Sequence, residues 1–205
     1  EIYTLSLHDA LPIWSAGILE GIPEEVPLVL MTAHRRESWG EPLVRICKGV
    51  ASLLEAHPEV RVLVPLHKNP TVREAIRGEL GAFPQVTLTE PLSYPDFVSV
   101  MNRSLFIVSD SGGVQEEASA LRKPMLILRD LSERPEAISL GTGVLVGTNP
   151  EVILREALRL LEDPSYRETF LERGMPFGDG RASEKIRDAV LGFLPERGET
   201  NGGIR

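Results

Sequence analysis

Apolar and polar positions along this chain change period from block to block. Leu28–Thr32, Val60–Leu66, Val86–Thr89, Leu105–Val108, Lys123–Leu128 and Gly143–Val146 are short, mostly continuous apolar runs bounded by turn residues. Runs of that kind predict strands covered on both faces. Between them the apolar residues take helical spacing, as in Leu43, Ile46, Val50, Leu53 and Leu54. This predicts helices over about 41–56, 71–80, 94–102 and 113–121, with Pro70 suited to a helix start. The tail reads as helical throughout. Asn149-Pro150 is a cap followed by proline at the first helical position, opening a helix over 151–162. Two more helices, over 164–173 and 182–194, are separated by Pro176-Phe-Gly-Asp-Gly180. Strands alternating with helices of about 10–15 residues describe βαβ units and a parallel sheet. The predicted fold class is α/β: a parallel-sheet, Rossmann-like domain.

Open parallel sheets bind ligands at the carboxyl ends of their strands. The conspicuous polar clusters sit just where a strand has ended: His34-Arg35-Arg36-Glu37, His67-Lys68-Asn69, Asp110-Ser111-Gly112-Gly113 and Arg129–Glu136. The third is the densest. Two adjacent glycines at a strand-to-helix turn let backbone approach a ligand closely. The helix start behind them offers unpaired N–H groups and a positive dipole end, which suits a phosphate. Ser111 could serve the ligand or cap the helix. Gln115, Glu116 and Glu117 are expected around the first turn, where acids would also favour the dipole. Being adjacent, Glu116 and Glu117 point about 100° apart and cannot form an acid/base pair. Glu117 lies at the right reach for ribose hydroxyls. His34 is either a surface-loop histidine or a phosphate donor, and His67 is open in the same way. Arg134 carries a flanking proline, which fixes its backbone and favours a specific role over a solvated charge.

Length and charge narrow the classes. The chain has 205 residues, enough for one ordinary domain. A net charge of −8 argues against a nucleic-acid or anionic-membrane partner while leaving room for a local basic pocket. No apolar run approaches the roughly 20 residues of a membrane helix. The single cysteine, Cys47, excludes an internal disulfide and fits a reducing compartment such as the cytoplasm. The four histidines lack metal-ligand spacing. No GxGxxG follows the first strand, and neither GxxxxGK[ST] nor GxSxG occurs, which disfavours dinucleotide oxidoreductases, P-loop enzymes and α/β hydrolases. Residues 1–13 look like the conceptual translation of a sequencing adapter and are expected to be foreign to the gene. Residues 14–25 then form a linker, 26–195 the domain and 196–205 a frayed tail.

Thr32-Ala-His-Arg-Arg-Glu37, Pro65-Leu-His-Lys-Asn-Pro70, Ser109-Asp-Ser-Gly-Gly-Val-Gln-Glu-Glu117, Arg129-Asp-Leu-Ser-Glu-Arg-Pro-Glu136 and Phe177-Gly-Asp-Gly180 stand in order and in register. Together they resemble the non-hydrolysing UDP-N-acetylglucosamine 2-epimerases, over residues 26–194 and that family's C-terminal half. The resemblance implies half of a GT-B-like two-domain fold, whose cleft holds UDP-N-acetylglucosamine. It implies interconversion with UDP-N-acetylmannosamine through elimination of UDP to 2-acetamidoglucal, with neither NAD nor an essential metal as cofactor. Ser111, Gly112 and Gly113 would hold the diphosphate, Glu117 the ribose, and backbone around Phe97 the uracil. His34 and Arg134 would contact the phosphates or assist UDP departure, with His34 counted as catalytic. Arg35 and His67 match positions of an activator site. The family's acid/base carboxylates lie in its N-terminal domain, so this chain alone is expected to bind uridine nucleotides weakly without turnover. That domain and a second copy of the chain are the implied protein partners, and envelope polysaccharide synthesis the usual destination. Leu92 replaces a polar residue of some members. Two other readings stay open: the nucleotide domain of a GT-B glycosyltransferase, and a non-catalytic UDP-binding module.

Overall fold

The structure is a computed structural model that describes residues 17–174 and 176–193. The expectations for residues 1–13 and 196–205 lie outside the described residues. Two compact units divide between Phe177 and Gly178.

The first unit is built on six parallel strands: β1 (Leu28–Thr32), β2 (Arg61–Pro65), β3 (Val86–Thr89), β4 (Phe106–Ser109), β5 (Met125–Ile127) and β6 (Gly143–Leu145), in spatial order β3-β2-β1-β4-β5-β6. The chain winds outward from β1 to β3 and then returns to start β4 on the other side of β1. Helices α1 (Glu41–Ala56), α2 (Pro70–Leu80), α3 (Tyr94–Arg103), α4 (Gly112–Ala120), α5 (Pro135–Ser139), α6 (Pro150–Glu162) and α7 (Pro164–Leu171) complete it.

Alternate residues of a strand face opposite sides, and β1 uses both. Val29 and Met31 join a core with Leu43, Ile46, Leu53, Ile76 and Ile153, from α1, α2 and α6. Leu28 and Leu30 join a second core with Val98, Met101, Val114 and Ala118, from α3 and α4. All five residues of β1 are buried, which is why its sequence is a continuous run. Helix starts are set by short polar caps: the side chains of Asn69, Ser93, Asn149 and Asp163 accept from Thr71, Asp96, Val152 and Tyr166 N–H groups. A proline stands in the first turn of each of those helices, where no donor is missed.

Every expected strand and helix is present in the described residues, with β2, β5 and β6 shorter than their apolar runs. Two short elements add to the expectation: a 3-10 turn at Arg36–Ser38 and the five-residue α5. Neither is long enough to display a period. One boundary differs with consequence. α4 begins at Gly112, and its first turn carries no acid, so Glu116 and Glu117 sit in the second turn. They are too far along to serve the helix dipole, whose effect is confined to the terminal turn.

The second unit contains α8 (Ala182–Phe193). Ile186, Val190, Leu191 and Phe193 are exposed on it. Gly178 and Gly180 have positive φ, and Asp179 accepts from the Arg181 N–H and pairs with Lys185 at 3.0 Å. The Phe177–Gly180 motif thus supplies the turn and ion pair that open α8. No described helix is long and apolar enough to cross a membrane.

Two glycines give opposite expectations. A Cβ on Gly49, in α1, would lie 3.0 Å from Ile153 Cβ and Cγ2 and 3.1 Å from the Pro150 carbonyl oxygen. A Cβ on Gly78, in α2, would meet nothing within 4 Å. Gly49→Ala should therefore overpack the α1–α6 contact and cost about 1–3 kcal/mol. Gly78→Ala should stabilise by up to about 1 kcal/mol through helix propensity. Urea titrations of both variants check the pair.

Candidate functional site

The strand order reverses between β1 and β4, and the crevice at such a switch point is where this architecture seats ligands. Thr32 and Ser109, partners in the β1–β4 register, end their strands with a buried 2.6 Å hydrogen bond between hydroxyls. The Ser109 hydroxyl also accepts from Ser111 N–H at 3.0 Å. Between the two serines stands Asp110, with no exposed surface. Its Oδ2 accepts from the N–H groups of His34 (3.0 Å) and Arg35 (2.9 Å) and from the Ser38 hydroxyl (3.1 Å). Its Oδ1 lies 3.2 Å from His34 N and 3.5 Å from His34 Nδ1. One carboxylate therefore ties the loop after β1 to the loop after β4.

α4 starts on that anchored loop. Ser111 is its cap, accepting from Val114 N–H at 3.5 Å. The N–H groups of Gly112 and Gly113, in the first turn, have no helical acceptor. A Cβ on Gly112 would be 3.5 Å from Arg35 Nη2 and 3.8 Å from the Arg134 guanidinium, so two arginines stand over this glycine. Nothing lies within 4 Å of a Cβ placed on Gly113.

Carboxylates hold those arginines in place. Arg35 donates to both oxygens of Glu133, at 3.2 and 2.9 Å. Arg129 forms an ion pair with Glu37 at 2.8 Å and donates to Glu133 at 3.3 Å, and its Nη1 is buried with no partner among the described residues. Arg134 donates from Nε to Glu116 at 2.5 Å. Its backbone is set by a relay: Ser132 Oγ accepts from Arg134 N–H and donates to the Gln115 side-chain oxygen. The flanking proline opens α5, so Arg134 is the residue just before a helix.

A cavity of about 390 Å³ opens beside this cluster, lined by residues including His34, His67, Lys68, Leu92, Phe97 and Val114. The His34 and His67 rings stack across it, centroids 5.9 Å apart. The Phe97 N–H is committed to the Ser93 carbonyl within α3, so it has no free hydrogen to give. Glu117 lies on α4 facing Tyr94 of α3. Burial pushes its carboxyl above the usual range, Tyr94 hydrogen bonding opposes that shift, and the neighbouring Glu116 charge adds to it. Among the described residues no group of three His, Cys, Asp or Glu side chains is placed to hold a metal ion.

A profile of the UDP-N-acetylglucosamine 2-epimerase family matches residues 6–191. The chain belongs to that family. It is 41% identical over 169 residues to the UDP-N-acetylglucosamine 2-epimerase of Escherichia coli strain K12, covering 82% of this chain and 45% of that one. The Neisseria meningitidis UDP-GlcNAc 2-epimerase, solved bound to UDP-GlcNAc, superposes with a TM-score of 0.79 at 42% identity, over 83% of this chain and 46% of that one. The Methanocaldococcus jannaschii enzyme, solved with UDP-GlcNAc and UDP, gives 0.68 at 28% identity, over 81% and 46%. The chain spans about half the length of the curated relatives it matches. Its α/β fold is that of one half of these GT-B-like epimerases.

The residues singled out from sequence divide into two groups in this epimerase fold. Ser111, Gly112, Gly113, Arg35 and Arg134 gather at the start of α4, and His34, His67 and Phe97 line the adjoining cavity. Glu117 stands a turn further along α4, with Tyr94. Asp110, Glu133, Gln115 and Ser132 belong to the clusters and motifs legible in the sequence, but their part in orienting the others is given by the structure alone.

The raised Glu117 carboxyl has a signed consequence for stability. A group that binds its proton more tightly when folded contributes most at low pH, and that contribution is lost as pH rises from the ordinary carboxylate range through the raised value. Glu117→Gln should therefore raise the thermal midpoint at neutral pH. The difference should shrink to nothing in acid, where Glu117 itself is neutral. Calorimetric scans of both proteins across that range measure it.

Proposed function

We propose that this chain is the UDP-binding half of a non-hydrolysing UDP-N-acetylglucosamine 2-epimerase. The observation that carries the reading is the α4 start, where unpaired N–H groups, a glycine pair and two guanidiniums converge at the switch point of an epimerase-family sheet. Ser111, Gly112 and Gly113 take the diphosphate. Arg134 and His34 meet its oxygens, since guanidinium and imidazole both match phosphate. Glu117 accepts from the ribose hydroxyls, and the wall around Phe97 receives the uracil. Arg35, over the start of α4, and His67, on the adjoining cavity wall, suit a second anionic ligand. With a nucleotide sugar as ligand, the cytoplasm is the expected compartment.

In the reaction, a base removes the C2 proton, its electron pair forms the C1=C2 bond of 2-acetamidoglucal, and the C1–O bond breaks with its pair going to UDP. Protonation of C2 from the other face and re-addition of the UDP oxygen to C1 complete the inversion. The residues of this chain serve the leaving group, where charge builds on the diphosphate as the bond breaks. The carboxyl groups for the C2 steps belong to the other half of the two-domain enzyme. A second copy of the chain is a further candidate partner. Family membership favours this reading over a glycosyltransferase nucleotide domain and over a non-catalytic module.

Titration calorimetry with UDP tests the assignment. Micromolar to millimolar binding is expected. Glu117→Ala should weaken it roughly tenfold or more, the scale of a hydrogen bond to a charged group. Gly113→Ala should fold normally and also lose affinity, because its methyl group enters the space in front of α4. Unchanged affinity in both variants would overturn the assignment. In deuterated water the chain alone should leave the C2 proton of UDP-N-acetylglucosamine unexchanged.

A further inference from the structure

We propose that Asp110 is a positioning residue that holds neutral His34 in the Nδ1–H tautomer and so makes Nε2 the proton-accepting atom of the cavity. The geometry starts from an asymmetry between the two carboxylate oxygens. Oδ2 accepts from three groups: two backbone N–H groups, which can only donate, and the Ser38 hydroxyl. Oδ1 has lone-pair capacity to spare, accepts only a longer contact from His34 N at 3.2 Å, and faces His34 Nδ1 at 3.5 Å. The carboxylate is fully buried, so no solvent competes for that capacity. A ring nitrogen facing a carboxylate oxygen is stabilised when it carries the hydrogen, and the other nitrogen is then bare.

Three other contacts keep the ring where this choice matters. The carbonyl of His34 accepts from Trp39 Nε1 at 3.2 Å, its N–H is bound to Asp110, and its ring is stacked on His67. The charged and titratable groups around it are Asp110 on the loop after β4, Arg35 beside it in the chain, and His67 and Lys68 on the loop after β2. Of these only Asp110 offers an acceptor to Nδ1. The remaining nitrogen belongs to a residue lining the cavity and 38% exposed, so it is open to a ligand.

The consequence for function rests on the diphosphate reading of the site. A bare Nε2 repels an ionised phosphate oxygen, whereas a protonated one donates to it with a full positive charge that Asp110 offsets. On that reading Nε2 would bind a proton drawn from solvent as the diphosphate gathers charge and give it back to solvent when UDP re-adds. This is the arrangement in which a buried aspartate serves a histidine without itself being protonated.

The substitution Asp110→Asn turns the same asymmetry into a test. The two backbone donors on Oδ2 outweigh the single longer His34 N–H contact on Oδ1, so the oxygen stays at the Oδ2 position and the new amide NH2 stands at the Oδ1 position, against His34 Nδ1. A donor there demands a bare Nδ1, and the hydrogen must move to Nε2. Long-range 1H–15N spectra of the labelled 205-residue chain in mildly alkaline solution distinguish the two tautomers directly, with the His34 signals assigned by their loss in His34→Gln. The expected result is Nδ1–H in the natural chain and Nε2–H in Asp110→Asn. An Nε2–H tautomer in the natural chain would overturn the proposal, and that measurement needs no variant to fold. Retention of Nδ1–H in an Asp110→Asn chain with native amide dispersion would overturn it equally. No nucleotide is present in these samples, so the outcome is separate from whether UDP binds.

Discussion

A carboxylate removed from water must have its oxygens filled by donors, and at Asp110 that requirement organises the whole rim. The donors come from the loop after β1, and the carboxylate from the loop after β4. These strands are neighbours only because the sheet reverses its order between them. The Thr32–Ser109 bond closes the strand ends beneath, and the Asp110 bonds close the loops above. α4 and its glycine pair are thereby set at a fixed height against His34 and Arg35. Removing one partner would leave a buried charge or several buried donors unmatched, an expensive outcome in a dry interior.

The two adjacent glutamates show how one helix serves two tasks. Their directions differ by about a quarter turn, and the structure gives each its own neighbour. Glu116 holds Arg134 over Gly112, and Glu117 is turned toward Tyr94, half-buried and reluctant to ionise. An acid kept partly out of water costs the fold some stability at neutral pH.

Much of the fold was legible because it depends on local pattern. Continuous apolar runs marked strands buried on both faces, and Asn-Pro marked the start of α6. The polar clusters at strand ends fall together on the carboxyl-end rim of the sheet. The 3-10 turn at Arg36–Ser38 and α5 were not legible, since neither spans enough residues for a period. The start of α4 was read a residue late, which placed the glutamates nearer the dipole than they are. Asp110, Glu133 and Ser132 stand in the rim clusters, but their orienting role was not legible, for a different reason. Their partners are fixed by the fold and lie up to 98 positions away in the chain, and single residues carry no mark of such pairing. The expectations for Phe97 and Glu117 rest on resemblance, and the Phe97 N–H is already bound to the Ser93 carbonyl.

The arginines of the site each hold a carboxylate of their own chain: Arg35 and Arg129 share Glu133, and Arg134 has Glu116. An incoming anion therefore competes with resident ones, and its attraction to the site is a difference between two similar terms. The resident pairs are partly exposed and individually weak, so on the proposed function a doubly ionised, multidentate ligand would displace them more readily than a single carboxylate or chloride. When such a ligand left, the resident carboxylates would return and no cation would be stranded. Ion exchange within a fixed frame would then favour a diphosphate without the slow release that tight capture by bare cations would impose.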